Sequence, residues 1–465
     1  MTDLALLSAL ELAQAIRQGT VSPLDVTTTF LEQIEQHNET VGAFCHVAAE
    51  TALSVAKLQT EQLAQVDSTD YLPPFFGVPT AIKDLNQIQG MPTSYGVATL
   101  RDKVAEYDDG VVMRLKQAGF NFLGKTTTSQ LGTMPYTEPP GFLPSRNPWH
   151  LDHTAGGSSG GAAAAVAAGF CPIAQGSDGG GSLRGPGSCC GLVGFKPSRG
   201  RVSFAPVGDF QSGIASNGPL SRTVLDAAAL LDVMAGYMTG DPYWLPKPDV
   251  AFWETAQKSP RPLRLAYHFS MPPFSSTATV QHGVKTAIAK LETAGHHLEE
   301  ACFDASALVE PFSIIWKSGV GASGLPLQLL ETLNQWLGEE SVSAGDYLRA
   351  VQTMHVLSRQ IVGFMEQYDA LILPVFSHQP PKVGEWSHLK PVDTVQKIIE
   401  WIAPCPPSNA AGLPAIAIPV GFDDQGLPLS VQIVGKPAAD ATVLALAHQL
   451  EQLLKFPRQL PALFE

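Results

Sequence analysis

The chain of 465 residues is poor in charge, with Asp, Glu, Lys and Arg at 15%. What charge there is runs acidic: 43 Asp and Glu against 29 Lys and Arg, a net of −14. A nucleic acid gripped through its phosphates needs a basic face, so direct nucleic-acid binding is not expected. Cysteine is scarce, and Cys45, Cys171, Cys189, Cys190, Cys302 and Cys405 form no C-x-x-C pair. That argues against a structural zinc and fits a reduced, cytoplasmic chain. The N-terminus lacks a basic stretch followed by an apolar one, so no signal peptide is read. Long hydrophobic runs are missing too. The longest, residues 160–174, is Gly/Ala-rich and falls short of the ~18 residues of a membrane span. With 45% hydrophobic residues the chain is expected to be globular, with a sizeable core.

Glycine, by contrast, is concentrated: 14 of the 42 lie between positions 156 and 200. A flexible linker would explain this blandly, but the interleaved Ala, Val, Ile, Leu, Phe and Cys serve no purpose in a linker. Unusual backbone angles and close approach explain it better. Ser8-Ala9-Leu10-Glu11 reads as a capping box, and Ser22-Pro23 as a cap before a proline at the first helical position. Helices are expected to about 38 and through 65. Residues 75–83 read as a strand, 110–119 as a helix, 120–123 as a short strand and 161–168 as a buried helix. Residues 126–154 read as loop, and the Pro-rich 237–262 as a surface excursion. Further strands are expected at 263–268 and 370–375, and a helix at 280–294. Strands at 415–420 and 429–434 flank Asp423-Asp424-Gln425-Gly426 as a hairpin, before a last helix at 439–454. Strands alternating with helices point to α/β with a mixed sheet.

Three short patterns carry chemistry. Gly119-x-x-x-x-Gly124-Lys125-Thr126 fits a P-loop letter for letter. Its intervening Phe-Asn-Phe-Leu looks like the strand itself rather than a bare loop, so nucleotide binding is not favoured and Lys125 is expected to be structural or exposed. Gly156-Gly157-Ser158-Ser159-Gly160 fits G-x-S-x-G, but the nucleophile elbow needs a buried strand just upstream, and residues 148–154 make a poor one. The third is Gly176-Ser177-Asp178-Gly179-Gly180-Gly181-Ser182-Leu183-Arg184. Consecutive glycines before a serine leave main-chain N–H groups unshielded, able to converge on an oxyanion. Taken alone, it reads better as a Gly-rich turn capped by Ser182.

Together these runs resemble the amidase signature. The resemblance takes in Gly156-Gly157-Ser158-Ser159-Gly160-Gly161, residues 176–184, and Cys190-Gly191-Leu192-Val193-Gly194-Phe195-Lys196-Pro197 with Gly200-Arg201-Val202-Ser203. Upstream, Gly77-Val78-Pro79-Thr80-Ala81-Ile82-Lys83-Asp84 matches the family's Gly-Val-Pro-x-x-x-Lys-Asp. Downstream, Asn409-Ala410-Ala411-Gly412-Leu413-Pro414-Ala415 resembles its Asn-x-x-Gly-x-Pro-Ala. The matches run in order over residues 75–436.

The resemblance implies an αβα sandwich with a central mixed sheet, forming a single catalytic domain over residues 1–465. Within it, residues 1–70 supply helices packed on the core, 75–204 the signature core, and 237–391 a variable, substrate-shaping region. It implies Ser182 as nucleophile, Ser158 as the serine bridging to the lysine, and Lys83 as base. It further implies Gly179, Gly180 and Gly181, with the N–H of Ser182, as the oxyanion hole, and a cis bond at Gly157–Ser158. Asp178, Arg184 and Ser159 are expected as supports around the turn, and Arg146 as an anchor nearby. His150 and His153 are expected on a loop or pocket rim.

The chemistry needs no histidine. Serine is a weak nucleophile at neutral pH, and Lys83 serves as base only when uncharged, which requires burial and no acidic partner. Read without the family, Lys83 is an ordinary strand-end lysine paired with Asp84.

Two departures stand out. Many members read Gly-Thr-Asp-Thr-Gly-Gly-Ser-Ile-Arg, where this chain has Ser177 and Gly179, and a more mobile loop is expected. Many also carry Asn and, three residues on, an acidic residue after Gly-Lys-Thr, where this chain has Thr127 and Gln130. That bears on the substrate pocket, as does the Pro-rich stretch 134–143. The expected reaction is hydrolysis of a carboxylic amide through an acyl-enzyme, with a small-molecule amide as partner, no cofactor, no metal and no membrane. A homodimer is admitted. The alternatives are a glutaminase subunit of a tRNA-dependent amidotransferase, a non-catalytic binding protein on the same fold, and a P-loop nucleotidase. The segment 93–100 looks closer to stand-alone amidases.

Overall fold

The computed structural model describes residues 4–66, 68–209, 211–340, 342–456 and 459–464. The first three residues and Asp67, within the expected 1–70 segment, lie outside them. Thirteen strands are described: β1 (Phe44–Val47), β2 (Pro79–Lys83), β3 (Asn121–Thr126), β4 (Arg146–Asn147), β5 (His150–Thr154), β6 (Ile173–Asp178), β7 (Val193–Lys196), β8 (Ser216–Ser221), β9 (Arg264–Tyr267), β10 (His297–Glu300), β11 (Ala370–Pro374), β12 (Ala415–Phe422) and β13 (Pro428–Gly435). Eleven form one sheet in the order β1-β3-β2-β6-β8-β7-β12-β13-β11-β9-β10; β4 and β5 form a separate ribbon. Within the sheet, β2 runs parallel to β3 and β6, whereas β8, β7, β12 and β13 run antiparallel to their neighbours. The fold is α/β with a mixed central sheet flanked by helices.

Local chemistry sets these elements. Both N-terminal capping boxes form: Ser8 accepts from the Glu11 N–H and Ser22 from the Asp25 N–H. Their helices, Ala9–Arg17 and Pro23–Val41, turn Leu12, Ile16, Val26, Phe30 and Ile34 into the core. The hairpin turn at 423–426 closes with the Gly426 N–H donating to the Asp423 carbonyl at 3.0 Å. The expected 75–83 strand starts only at Pro79, because residues 75–78 are held in a turn by the Val78 N–H on Phe75 O. The 120–123 strand starts at Asn121 and runs on to Thr126, so the Gly124-Lys125-Thr126 end of the P-loop pattern lies on β3 itself. Residues 126–154 are not all loop. His150–Thr154 is a strand, but it pairs with β4, with a further bridge from His153 to Lys382, and sits apart from the main sheet. No helix among the described residues is long and apolar enough to cross a membrane.

The parallel pairing of β2 with β6 positions the site. Ala81 is level with Ala174 and Ile82 with Gln175, so both strands end at the same edge of the sheet. Lys83 leaves one end there and the Gly-rich turn leaves the other. Ligands gather at the carboxyl ends of parallel strands in such sheets. The helix Gly160–Ala167, buried at every position, begins right after the serine loop. Its glycine start lets the backbone dock, with the Gly161 N–H donating to the Thr127 carbonyl at 3.1 Å.

Candidate active site

Lys83, the last residue of β2, is 0% exposed. Asp84 does not pair with it, contrary to the plainest reading of the sequence. The Asp84 carboxylate lies 2.8 Å from Lys125 Nζ and also accepts from the Ser94 hydroxyl and N–H. The lysine of the P-loop pattern is thus buried and structural: it occupies the adjacent carboxylate, and Lys83 has no ion-pair partner among the described residues. Lys83 Nζ instead meets Ser158 Oγ at 2.7 Å, Ser177 Oγ at 3.1 Å and the Ser177 carbonyl at 3.4 Å. Burial lowers its pKa to about 7, against an opposing pull from Asp178. Breaking the Lys125–Asp84 pair leaves a charge stranded in the core. Lys125→Met is therefore expected to destabilise the fold by roughly 3–5 kcal/mol, read as a lowered Tm.

Ser158 follows a cis bond from Gly157, as the resemblance implies. Gly157 has no room for a side chain, because an added Cβ would lie 2.6 Å from the Tyr136 nitrogen. Ser159 fastens this loop to β6: its Oγ donates to the Ser177 carbonyl at 3.1 Å and accepts from the Ser177 N–H at 3.3 Å.

Ser182 lies beyond β6 on the Gly179-Gly180-Gly181 turn and is 7% exposed. It shares a cavity wall with Gly157, Gly180 and Gly181. Its hydroxyl has no hydrogen-bond partner among the described residues; Lys83 and Ser158 are joined, and Ser182 shares the cavity with Gly157, the residue before Ser158. The N–H groups of Gly179, Gly180 and Ser182 likewise have no acceptor among the described residues. Gly181 departs from expectation as an oxyanion donor. Its N–H donates to Asp178 Oδ1 at 2.7 Å, and its contribution is conformational. At φ +126° it turns the chain against Cys405, whose Cβ would lie 2.8 Å from an added Cβ.

Beneath the turn, Asp178 and Arg184 form a fully buried ion pair at 3.0 Å. Burial alone would raise the Asp178 carboxyl, but the Arg184 guanidinium outweighs it and holds the group well below the usual carboxylate range. Asp178 also accepts from the Leu183 N–H at 3.1 Å. Arg184 reaches across to Ser408 Oγ, Gln432 Oε1 and Asn409 Oδ1. Asn409 donates to Asp178 Oδ1 at 2.9 Å, joining the downstream element to the turn.

The family model described as Amidase matches residues 25–444. The chain belongs to the amidase signature family. It is 69% identical over 466 residues to a Synechocystis protein named "Putative amidase", covering 100% of this chain and 92% of that one. It is 32% identical to a glutamyl-tRNA(Gln) amidotransferase chain of Moorella thermoacetica, over 99% of each chain. Among solved structures it is similar to 6-aminohexanoate cyclic dimer hydrolase complexed with substrate, with TM-score 0.92, 28% identity, and 99% and 100% of the two chains covered. The chain is an amide hydrolase of that family.

Within this amidase signature, several residues acquire roles that the sequence reading did not assign. Ser177, noted only as a departure, touches Lys83, and Gln175 Oε1 accepts from the Lys83 N–H at 3.1 Å. The two lie two positions apart on β6, the spacing that puts side chains on one face of a strand. Gln130 ties the start of the helix Thr332–Glu339 to the segment after β3: its Oε1 accepts from the Glu331 N–H at 2.7 Å and from Asn334 Nδ2 at 3.1 Å. Lys196 matches Lys83 in burial, and burial likewise lowers its pKa to about 7. Its Nζ reaches only the Pro197 carbonyl, so a depressed lysine without a hydroxyl beside it marks no base. His150 and His153 lie on β5 rather than on a loop, and His153 Nδ1 is held by the Pro380 carbonyl. Arg146 holds the same ribbon through the Leu151 carbonyl.

Proposed function

We propose that amide hydrolysis proceeds through an acyl-enzyme on Ser182. Ser182 Oγ attacks the amide carbonyl while its proton passes to Ser158 Oγ, and the Ser158 proton passes to uncharged Lys83. The main-chain N–H groups of Gly179, Gly180 and Ser182 stabilise the oxyanion that forms. The proton then returns through Ser158 to the leaving nitrogen, ammonia or an amine departs, and water hydrolyses the ester by the same relay. The observation that carries this reading is the contact of a fully buried, carboxylate-free Lys83 with Ser158 Oγ at 2.7 Å. The chain is proposed to act as one catalytic unit, in the cytoplasm, in keeping with its six free cysteines.

An acyl-enzyme partitions between water and added nucleophiles. With hydroxylamine present, butyramide is expected to yield butyryl hydroxamate, and peptide mapping after acid quench is expected to find the butyryl group on Ser182. Hydrolysis without hydroxamate, or an acyl group on another residue, would contradict the scheme. The glutaminase alternative draws on the likeness to the Moorella amidotransferase chain. It requires glutamine turnover that appears only with partner subunits.

A further inference from the structure

Resting on the reading of Ser182 as nucleophile, the cavity beside it sets the class of acyl group. Three helices outside the signature core line that cavity, each through an apolar stripe. Phe312 and Trp316 stand four apart on Val309–Ala322, and Leu333 and Leu337 four apart on Thr332–Glu339. On Pro391–Ile402, Val395, Ile398 and Ile402 share one face at the spacing i, i+3, i+7.

The aromatic pair meets the reacting centre directly. A Cβ built on Gly179 would lie 3.1 Å from the Trp316 ring, and one on Gly180 3.6 Å from the Phe312 ring. The Trp316 indole is fixed in place by its N–H on the Thr133 carbonyl at 3.1 Å. None of the described residues lining the cavity carries a formal charge. Gln130 faces Glu331 and Asn334 and is not among the lining residues.

The proton relay fixes which half of the substrate occupies this space. The leaving nitrogen must receive its proton from Ser158 and Lys83. Ser182 lines the cavity while Ser158 and Lys83 do not, the serine loop reaching it only through Gly157, so the acyl group rather than the leaving nitrogen is assigned to this space. Its volume is about 100 Å³. An apolar cavity of roughly 150 Å³ admits benzene, so this smaller one suits an aliphatic acyl chain of about four to six carbons, the carbonyl carbon included. A carboxylate or ammonium placed here would lose its hydration and find no partner.

We infer that the enzyme selects amides of uncharged, aliphatic carboxylic acids of about four to six carbons, and discriminates against acyl groups that carry a charge, glutamine among them.

The test measures kcat/KM by ammonia release over the series from acetamide to octanamide, with succinamate and glutamine as charged counterparts of pentanamide. The purified full chain is used, and labelling of Ser182 by a fluorophosphonate probe is followed in parallel. kcat/KM is expected to rise about fourfold per methylene to about six carbons and then level off. Succinamate and glutamine are expected to fall at least about a hundredfold below pentanamide. In Ile398→Lys the ratio of pentanamide to succinamate is expected to drop by at least about tenfold, since the new cation offers the carboxylate a partner. Succinamate or glutamine within fivefold of pentanamide, or an unchanged ratio in the variant, overturns the inference. If Ser182 labels while chain length has no effect, the acyl assignment falls and the nucleophile stands. If Ser182 does not label and no amide is cleaved, the underlying reading falls and takes this inference with it.

Discussion

Replacing Ser182 by alanine is expected to lower kcat/KM for a simple amide such as butyramide by at least about ten-thousandfold. The size of the loss follows from the role. Without the hydroxyl there is no acyl-enzyme, and the remaining oxyanion donors can only assist direct attack by water. The same substitution is expected to leave stability within about 0.5 kcal/mol, because no described residue hydrogen-bonds the Ser182 hydroxyl and none is orphaned by its removal. Ammonia release and a thermal melt of the same preparation check both halves. Amide turnover within tenfold of the wild type would remove Ser182 from the mechanism.

Lys83→Met is expected to lower kcat/KM by about a thousandfold or more, the range for loss of a positioned base. Its effect on stability has the opposite sign. The folded-state pKa of about 7 lies below the value near 10.4 of a lysine in the unfolded chain. Between those values the unfolded chain binds the extra proton, so wild-type stability falls as the pH drops from about 10 to about 7 and is flat below that. Methionine fills the same space with no proton to bind. The variant is therefore expected to be more stable at pH 7 by roughly 2–4 kcal/mol, less what Ser158 and Ser177 lose as partners. Melting curves at pH 7 and pH 10 check the sign: the variant's advantage is expected to shrink as the pH rises. An inactive variant that is also less stable at pH 7 would point to a structural lysine.

The wild-type rate carries the same signature. Uncharged Lys83 is the active form, so kcat/KM is expected to fall about tenfold per pH unit below about 7 and to level off above it.

How much of this was legible in the sequence depended on the range of the interactions. The capping boxes at Ser8 and Ser22, the hairpin at 423–426 and the buried Gly160–Ala167 helix are local, and residue types at fixed offsets identify them. Lys83, Ser158 and Ser182 were named through spaced motifs rather than through any single pattern, since each pattern alone allowed an ordinary explanation. Less was readable where partners lie far apart in the chain. The pairing of Asp84 with Lys125, which keeps that carboxylate off Lys83, joins residues 41 positions apart, one just past β2 and the other on β3. Arg184 and Asn409, 225 positions apart, meet only because β7, β12 and β13 are neighbours in the sheet. The Gly181 N–H was unreadable for a related reason. A run of glycines signals free N–H groups, but which of them Asp178 captures is settled by the path of the turn.

The central claim is an uncharged amine on Lys83 activating Ser182, and the rate at which a fluorophosphonate labels Ser182 as a function of pH tests it most directly, since that step involves no amide leaving group. Labelling is predicted to rise with an apparent pKa of about 7 and to fall at least about a hundredfold in Lys83→Met at pH 7 and above. A labelling rate still climbing above pH 10, or a Lys83→Met variant that labels like the wild type, would contradict it.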